Sequence, residues 1–355
     1  MKLRVGVIGT GFGSQVQIPA FRAHPRVEVV AVASGTPGKA RVAAERFEIP
    51  YAFDDHTELM NVDLDLVSIT TPPHLHHPMT MSALLAKRHV ICEKPMALSA
   101  SEGVAMLREA ERQKVVHVID HELRFNPNRR RIKSLIEEGF VGRPRHALIT
   151  IVGTGRSDPT RPWTWWSDAE RGGGILGALG SHQIDLLRYW MGEIEAAAGT
   201  VQTYIRERPA PDGTGRKKVT SEDFTAFSLQ FPSGAVGTVV ISGVAANPVG
   251  PRLEVWGDDG TLLLDREERL WGAQRGRDLM EMTEPETTSP PPGMDYTALW
   301  GLSFVRVVEH LVSAILDSKP VAPAATFRDG LQVQRVMDAV RSAAPGWVQV
   351  PPPEP

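Results

Sequence analysis

A single cysteine, Cys92, stands in 355 residues. That excludes an internal disulfide and fits a reducing, cytoplasmic setting. Cys92 sits in the apolar run His89–Cys92 and is expected to be a small buried hydrophobe rather than a nucleophile. Net charge is also small, at −3 from 39 Lys and Arg against 42 Asp and Glu. No segment concentrates enough cations to clamp a phosphate backbone, so nucleic acid is not an expected partner. The one basic run, Arg129–Arg131 with Lys133, falls in a helical pattern and reads as a solvated helix face. No apolar stretch is expected to be long enough to span a bilayer, so no membrane partner is expected. The N-terminus runs straight into a strand pattern without a basic segment and cleavage site, so no signal peptide is expected.

What is present reads as two patterns in succession. Leu3–Ile8, Val27–Ala33, Asp65–Thr70, His89–Cys92 and Val115–Ile119 are short apolar runs rich in β-branched residues. Helical patterns at Gln15–Ala23, Pro37–Phe47, His77–Ala86 and Ser99–Gln113 separate them. This alternation predicts an α/β unit with a parallel, doubly wound sheet of Rossmann type, covered on both faces. After about residue 120 strand candidates follow one another: His146–Val152, Thr200–Ile205, Phe224–Phe231, Ala235–Ser242, Leu253–Gly257 and Thr261–Asp265. Phe231–Ala235 and Gly257–Gly260 carry hairpin-turn residues. A second, α+β domain with an open, mostly antiparallel sheet is therefore expected. Helical patterns at 181–190, 300–316 and 328–342 would cover one of its faces, and the open face is a candidate subunit contact. The expected division is 1–121, 122–350 and a flexible tail at 351–355. The polar, Pro- and Gly-rich stretches 207–218 and 284–294 are expected to be mobile loops.

The sharpest local motif is Gly9-Thr10-Gly11-Phe12-Gly13-Ser14, directly after the first strand and opening the first helix. A lone GxGxxG says little; one placed at a strand-to-helix turn points to a dinucleotide. Gly9 permits the tight turn, Gly11 lets the backbone approach a pyrophosphate, and Ser14 keeps the third position small. After the second strand, an acidic residue would bind the ribose 2′-hydroxyl and repel a 2′-phosphate. Ser34 holds that place, with Gly35, Thr36, Lys39 and Arg41 nearby. Hydroxyls and cations suit a phosphate, so NADP is expected in preference to NAD. At the end of the fourth strand Glu93-Lys94-Pro95 places a lysine where open α/β sheets bind ligands. Pro95 could fix a sharp turn through a cis bond that aims Lys94 into the cleft. His74, His76 and His77 follow two prolines without a Cys or carboxylate at metal spacing, and no metal is expected.

The glycine motif, Thr71-Pro-Pro-His-Leu-His-His-Pro78, Glu93-Lys-Pro95 and Gly180-Ser-His-Gln-Ile-Asp185 together resemble the glucose–fructose oxidoreductase/inositol dehydrogenase (Gfo/Idh/MocA) family over nearly the whole chain. The resemblance implies a Rossmann domain plus an open-faced sheet, NAD(P), sugar or cyclitol substrates, and homodimers or homotetramers formed through that face. It places Thr71, Pro72, His74 and His77 beside the cofactor and Glu93 at its nicotinamide end. Lys94 would hold and activate the substrate hydroxyl, with His182 as acid/base. Asp185, one turn on, would orient the imidazole or bind substrate. Oxidising a carbinol requires removal of a proton, and imidazole titrates near neutrality. Trp165 and Trp166 are expected either as a lid over a sugar ring or as packing. Arg124 is expected as a substrate or cofactor contact or in a structural ion pair.

One position departs from the family pattern. Many members carry an aspartate four residues before the histidine, and here that residue is Ala178. Either His182 acts without it, or Glu122, Asp120 or Asp168 replaces it, or the proton relay is lost. The functional expectation is an NADP-preferring dehydrogenase or reductase of sugar-like substrates. The alternatives are an NAD-dependent glycosidase working through transient oxidation and a non-catalytic NADP-binding sensor.

Overall fold

The computed structural model describes residues 2–296, 299–342 and 346–353. Two compact units emerge, Met1–Asn126 with Thr287–Leu331, and Pro127–Glu286 with Gln332–Pro355.

The first unit is built on six parallel strands: β1 (Leu3–Ile8), β2 (Val27–Ala33), β3 (Tyr51–Phe53), β4 (Leu66–Ile69), β5 (His89–Cys92) and β6 (His117–Ile119). Their order is β3-β2-β1-β4-β5-β6, so the direction of winding reverses between β1 and β4. That reversal opens a crevice at the carboxyl ends of the strands, where ligands of such sheets bind. The strands are almost wholly buried because apolar layers cover both faces. On one side lie Val16, Phe21, Ala43, Phe47, Phe304, Val308 and Leu311; on the other Leu59, Leu84, Met106, Leu107 and Phe327. β3 is short and exposed, and no periodicity in the sequence marks it.

The helix Leu299–Leu316 corrects two expectations. By length and composition it could cross a membrane, with a mean hydropathy of 1.5. It is nonetheless a core helix of the first unit: Phe304, Val307, Val308, Leu311 and Val312 are buried against β1 and β2 residues, and Phe21 meets Phe304 edge-on at 5.7 Å. It therefore does not cover the second sheet, as its position in the chain suggested. Apolar periodicity shows that a helix buries a face but not against which sheet.

The second unit carries β7 (Pro144–Val152), β8 (Ala196–Gln202), β9 (Glu207–Pro209), β10 (Arg216–Lys218), β11 (Phe224–Gln230), β12 (Val236–Ser242), β13 (Gly250–Gly257), β14 (Gly260–Leu264), β15 (Leu270–Gln274), β16 (Met280–Glu281) and β17 (Val348–Gln349). Nine of them form a sheet in the order β16-β15-β14-β13-β7-β12-β11-β8-β17, antiparallel except for the β7–β12 pair. Along β11 and β12 buried and half-buried residues alternate strictly, as expected for a sheet with one covered face. The helix Ser181–Met191 lies on the covered face: a Cβ on Gly237 of β12 would come within 3.1 Å of Leu187. The stretch 207–218, expected to be a mobile loop, contains the β9–β10 hairpin, with Arg216 paired to Pro209. In the expected tail, the Pro352 carbonyl accepts a hydrogen bond from Arg335 Nη1 at 2.9 Å, and residues 354–355 lie outside the described residues.

Candidate active site

The turn between β1 and the first helix is shaped by backbone need. Gly9 has a φ of 112°, and its N–H donates to the Ala33 carbonyl at 2.8 Å. A Cβ at Gly9 would fall 2.5–2.8 Å from atoms of Thr70. Gly13 is equally closed, with Thr70 Oγ1 2.7 Å from its would-be Cβ. Gly11 differs: it is exposed, and a Cβ there would meet nothing within 4 Å. The helical turn that follows, Gly13–Gln17, has no side-chain cap on its N-terminus. Open space before the uncapped, electropositive end of a helix fits a pyrophosphate group. Ser14 is buried at the third position, and Thr10 and Phe12 are half-buried in the same turn.

At the end of β2 the buried Ser34 hydroxyl accepts hydrogen bonds from Thr10 Oγ1 at 3.3 Å and from the Thr36 N–H at 3.4 Å. Gly35, Thr36 and Lys39 are exposed beside it. Asp54 secures the same loop by accepting the Gly38 N–H at 3.1 Å.

β5 ends in Glu93, Lys94 and a cis Lys94–Pro95 bond. His76, which the sequence placed among three histidines without assigning it a role beside the cofactor, joins this turn to the loop after β4. Its Nδ1 meets the Pro95 carbonyl and its Nε2 the Thr71 carbonyl, both at 2.8 Å. Complete burial pushes its pKa down to about 4, and Lys94 adds to the effect. The ring is therefore neutral at neutral pH, and its single N–H donates to only one of the two carbonyls at a time. Thr71, Pro72, His74 and His77 line the segment leading into the same clamp, all half-buried.

Behind Lys94 lies a buried polar cluster. Gln17 Nε2 donates to Glu93 Oε1 at 3.1 Å and to Asp120 Oδ2 at 2.9 Å, while Gln17 Oε1 accepts from Ser68 Oγ. Burial raises the carboxyls of both Glu93 and Asp120, and Asp120 is raised further by Glu122 and by Glu93. Asp120 is one of the three residues, with Glu122 and Asp168, that the sequence offers in place of the acid absent at Ala178. Asp168, another, caps the turn Ala169–Arg171 through the Glu170 N–H at 3.2 Å. Among the described residues no group of three or more His, Cys, Asp or Glu side chains is placed to hold a metal ion.

In the second unit Gly172–Gly174 leads into a π-helical turn, Leu176–Gly180, and then the helix Ser181–Met191. Gly174 has a φ of 115°, and a Cβ there would collide with the Glu222 carboxyl at 2.4 Å. Glu222 Oε1 accepts the Leu176 N–H at 3.0 Å, anchoring the start of this segment. Nothing in the sequence pattern marked Glu222. Ala178 lies in the π turn, and His182 and Asp185 lie one helical turn apart, both buried. Lys94 and His182 belong to different units. Trp165 and Trp166 stack with centroids 4.6 Å apart, and the Arg156 guanidinium lies 4.5 Å over Trp166. Burial, with Arg208 and Arg161 nearby, lowers Arg156 to about 10. Arg124 donates to Asp329 at 3.1 Å and to the Pro323 carbonyl at 3.3 Å, the structural ion pair that was its alternative reading.

Comparison with known proteins places both halves of the chain. Residues 3–121 match the family described as "Oxidoreductase family, NAD-binding Rossmann fold", and residues 129–263 match the GFO/IDH/MocA C-terminal domain. An uncharacterised oxidoreductase of Synechocystis is 32% identical over 98% of this chain and 96% of its own length. Levoglucosan dehydrogenase of Pseudarthrobacter phenanthrenivorans is 29% identical over 98% of both. Solved structures of levoglucosan dehydrogenase superpose with a TM-score of 0.88 over 99% of this chain and 100% of theirs, one in complex with NADH and levoglucosan at 28% identity, another with NADH and L-sorbose at 29%. The fold, the glycine turn and these matches agree: the chain belongs to the GFO/IDH/MocA family of NAD-binding oxidoreductases.

Proposed function

We propose that the protein is a dehydrogenase that oxidises a carbinol carbon of a sugar-like or polyol substrate, with Lys94 and His182 as its catalytic pair and NADP preferred to NAD. One observation carries this reading: the clamped Glu93-Lys94-Pro95 turn holds an ammonium at the carboxyl end of β5, beside the crevice where the sheet reverses. When bound, the dinucleotide supplies the hydride acceptor. The Lys94 ammonium stabilises the oxygen as its proton leaves, and the His182 imidazole exchanges that proton. Asp185 orients the imidazole or holds a neighbouring hydroxyl, and the stacked Trp165 and Trp166 offer an apolar face to a sugar ring. Sugar ligands in the levoglucosan dehydrogenase complexes support the substrate class.

The NADP preference rests on Ser34 and the exposed Lys39 at the end of β2, where a carboxylate would repel a 2′-phosphate. Half-buried residues on the open face of the nine-stranded sheet support a homodimer or homotetramer, and the lone, buried thiol supports a reducing, cytoplasmic location. The test is titration with NADPH and NADH by fluorescence, then a polyol and keto-sugar screen. NADPH should bind more tightly, and Lys39→Ala should narrow the difference. Full turnover by both Lys94→Ala and His182→Ala on the substrate found would overturn the site.

A further inference from the structure

Glu93, Asp120 and Gln17 cluster behind Lys94. Gln17 comes from the turn after β1, Ser68 from β4, Glu93 from the end of β5 and Asp120 from the end of β6. A single side-chain amide gives one proton to each carboxyl, at 3.1 and 2.9 Å. Gln17, Ser68 and Asp120 have no exposure at all, and Glu93 has 9%. Two carboxylates this close and this dry do not both carry charge at low cost. The remaining oxygen of Asp120, Oδ1, is buried and meets no hydrogen-bond donor. The two carboxyls lie within hydrogen-bond reach of each other, so one proton shared between them relieves the paired charge.

We propose that Asp120 and Glu93 hold one proton between them and form the acid–base store behind Lys94, taking the role that Ala178 cannot supply. This rests on the dehydrogenase reading. In the oxidation, the C–H electron pair leaves as hydride to the nicotinamide and the C=O bond forms. In place of exchange at His182, the Lys94 ammonium gives one proton to the carboxyl pair and takes the hydroxyl proton in its stead, so Lys94 stays charged while the net charge of the pair goes from −1 to neutral. Reduction runs the same transfers backwards. The charged and titratable groups facing the pair are Lys94, Glu122, Cys92 and the adjacent His121. Burial pushes the Cys92 thiol well above its usual range, so it does not exchange protons here. The Glu122 carboxylate raises Asp120, and Lys94 opposes it.

A proton store at the nicotinamide end of a bound dinucleotide would be linked to the ring's charge. The oxidised nicotinamide carries one positive charge more than the reduced one, so the oxidised cofactor favours the unprotonated pair and the reduced cofactor the protonated pair. The ratio Kd(reduced)/Kd(oxidised) should therefore rise with pH across the window in which the pair titrates. The slope approaches about tenfold per pH unit where a whole proton is exchanged. The experiment measures that ratio on the full chain from about pH 5 to about pH 9, with either dinucleotide pair and no substrate. Asp120→Asn keeps an acceptor for Gln17 and a donor for Glu93, and should flatten the slope while thermal stability holds. Glu122→Gln should keep the slope and move it to lower pH. A flat ratio in the unaltered protein, or an unchanged slope in Asp120→Asn, would overturn the proposal. Turnover of a polyol with a flat ratio sinks the carboxyl pair and leaves the dehydrogenase; a sloping ratio with no turnover in the screen sinks the dehydrogenase reading and leaves the store.

Discussion

The two glycines at the head of the cofactor turn should fail in opposite ways when given a methyl group. At Gly9 the backbone is left-handed, with φ at 112°, and an alanine Cβ would lie 2.5 Å from Thr70 Oγ1 and 2.7 Å from its carbonyl oxygen. The conformation alone costs an L-residue about 1–2 kcal/mol. The carbonyl cannot rotate away, because β4 runs straight into Thr70, whose own N–H donates to the Ile8 carbonyl at 2.7 Å. With the backbone shift included, Gly9→Ala should lose about 2–4 kcal/mol of stability. Gly11→Ala meets nothing within 4 Å and no left-handed backbone, so its stability should hold or rise by about 0.4–1 kcal/mol. Its methyl group occupies the space the pyrophosphate needs, and dinucleotide affinity should fall at least about tenfold, or 1.4 kcal/mol. Thermal melts without cofactor and fluorescence titration with NADH separate the two effects. Undiminished affinity in Gly11→Ala would refute the placement of the pyrophosphate. An unshifted melt in Gly9→Ala would refute the steric account of the turn.

Three further outcomes follow from buried groups. Arg129 is 4% exposed and pairs with Glu268 through two hydrogen bonds, so Arg129→Met should destabilise the second unit by about 1–3 kcal/mol in urea unfolding, leaving NADH affinity unchanged. His76 and His117 are each pushed by burial from an ordinary 6.5 to about 4. The unfolded chain takes up these protons near 6.5 and the native chain only near 4, so their stabilisation is complete above 6.5 and lost as pH falls from 6.5 to 4. Each contributes a slope of up to about 1.4 kcal/mol per pH unit. His117 accepts the Phe327 N–H at 3.2 Å, a bond that Asn can replace, so His117→Asn should flatten the acid slope of the melting temperature; an unaltered slope would exclude His117 as a source. Cys92 is buried and its thiol is raised by burial, so a thiol reagent should label the protein only after unfolding. Labelling of the native chain would show that β5 opens.

How far the sequence could be read follows from the range over which each feature is determined. Gly9 was legible because its requirement is local: a strand, a left-handed turn and a helix within a dozen residues. β1, β2, β4 and β5 were legible because both faces are buried and the apolar run is the whole signal. β3 was not, since three residues, none of them buried, leave no pattern to find. The β9–β10 hairpin hid inside a polar, glycine-rich stretch for a related reason: its six residues are mostly exposed, and they pair with each other rather than with the large sheet. The helix Leu299–Leu316 announced its apolar face, but its partners in β1 and β2 lie about 300 residues earlier, beyond the reach of periodicity.

The residues of the site differ in the same way. Lys94 could be found because Glu93-Lys94-Pro95 is contiguous and ends a strand. Gln17, Glu93 and Asp120 could be joined only by the fold, since the two hydrogen bonds made by the Gln17 amide span 76 and 103 positions. Their separation in sequence is what the parallel topology removes: β1, β4, β5 and β6 lie side by side and all end on the same edge. Glu93 and Asp120, each the first residue beyond its strand, are then brought to one place, and the helical turn after β1 carries Gln17 to them. Ala178 lies in the π turn Leu176–Gly180 of the second unit, whereas this edge belongs wholly to the first. A carboxyl pair on that edge can take over proton handling without any change in the helix that carries His182. Such a replacement would leave no trace in the local motif where a sequence search would look for it.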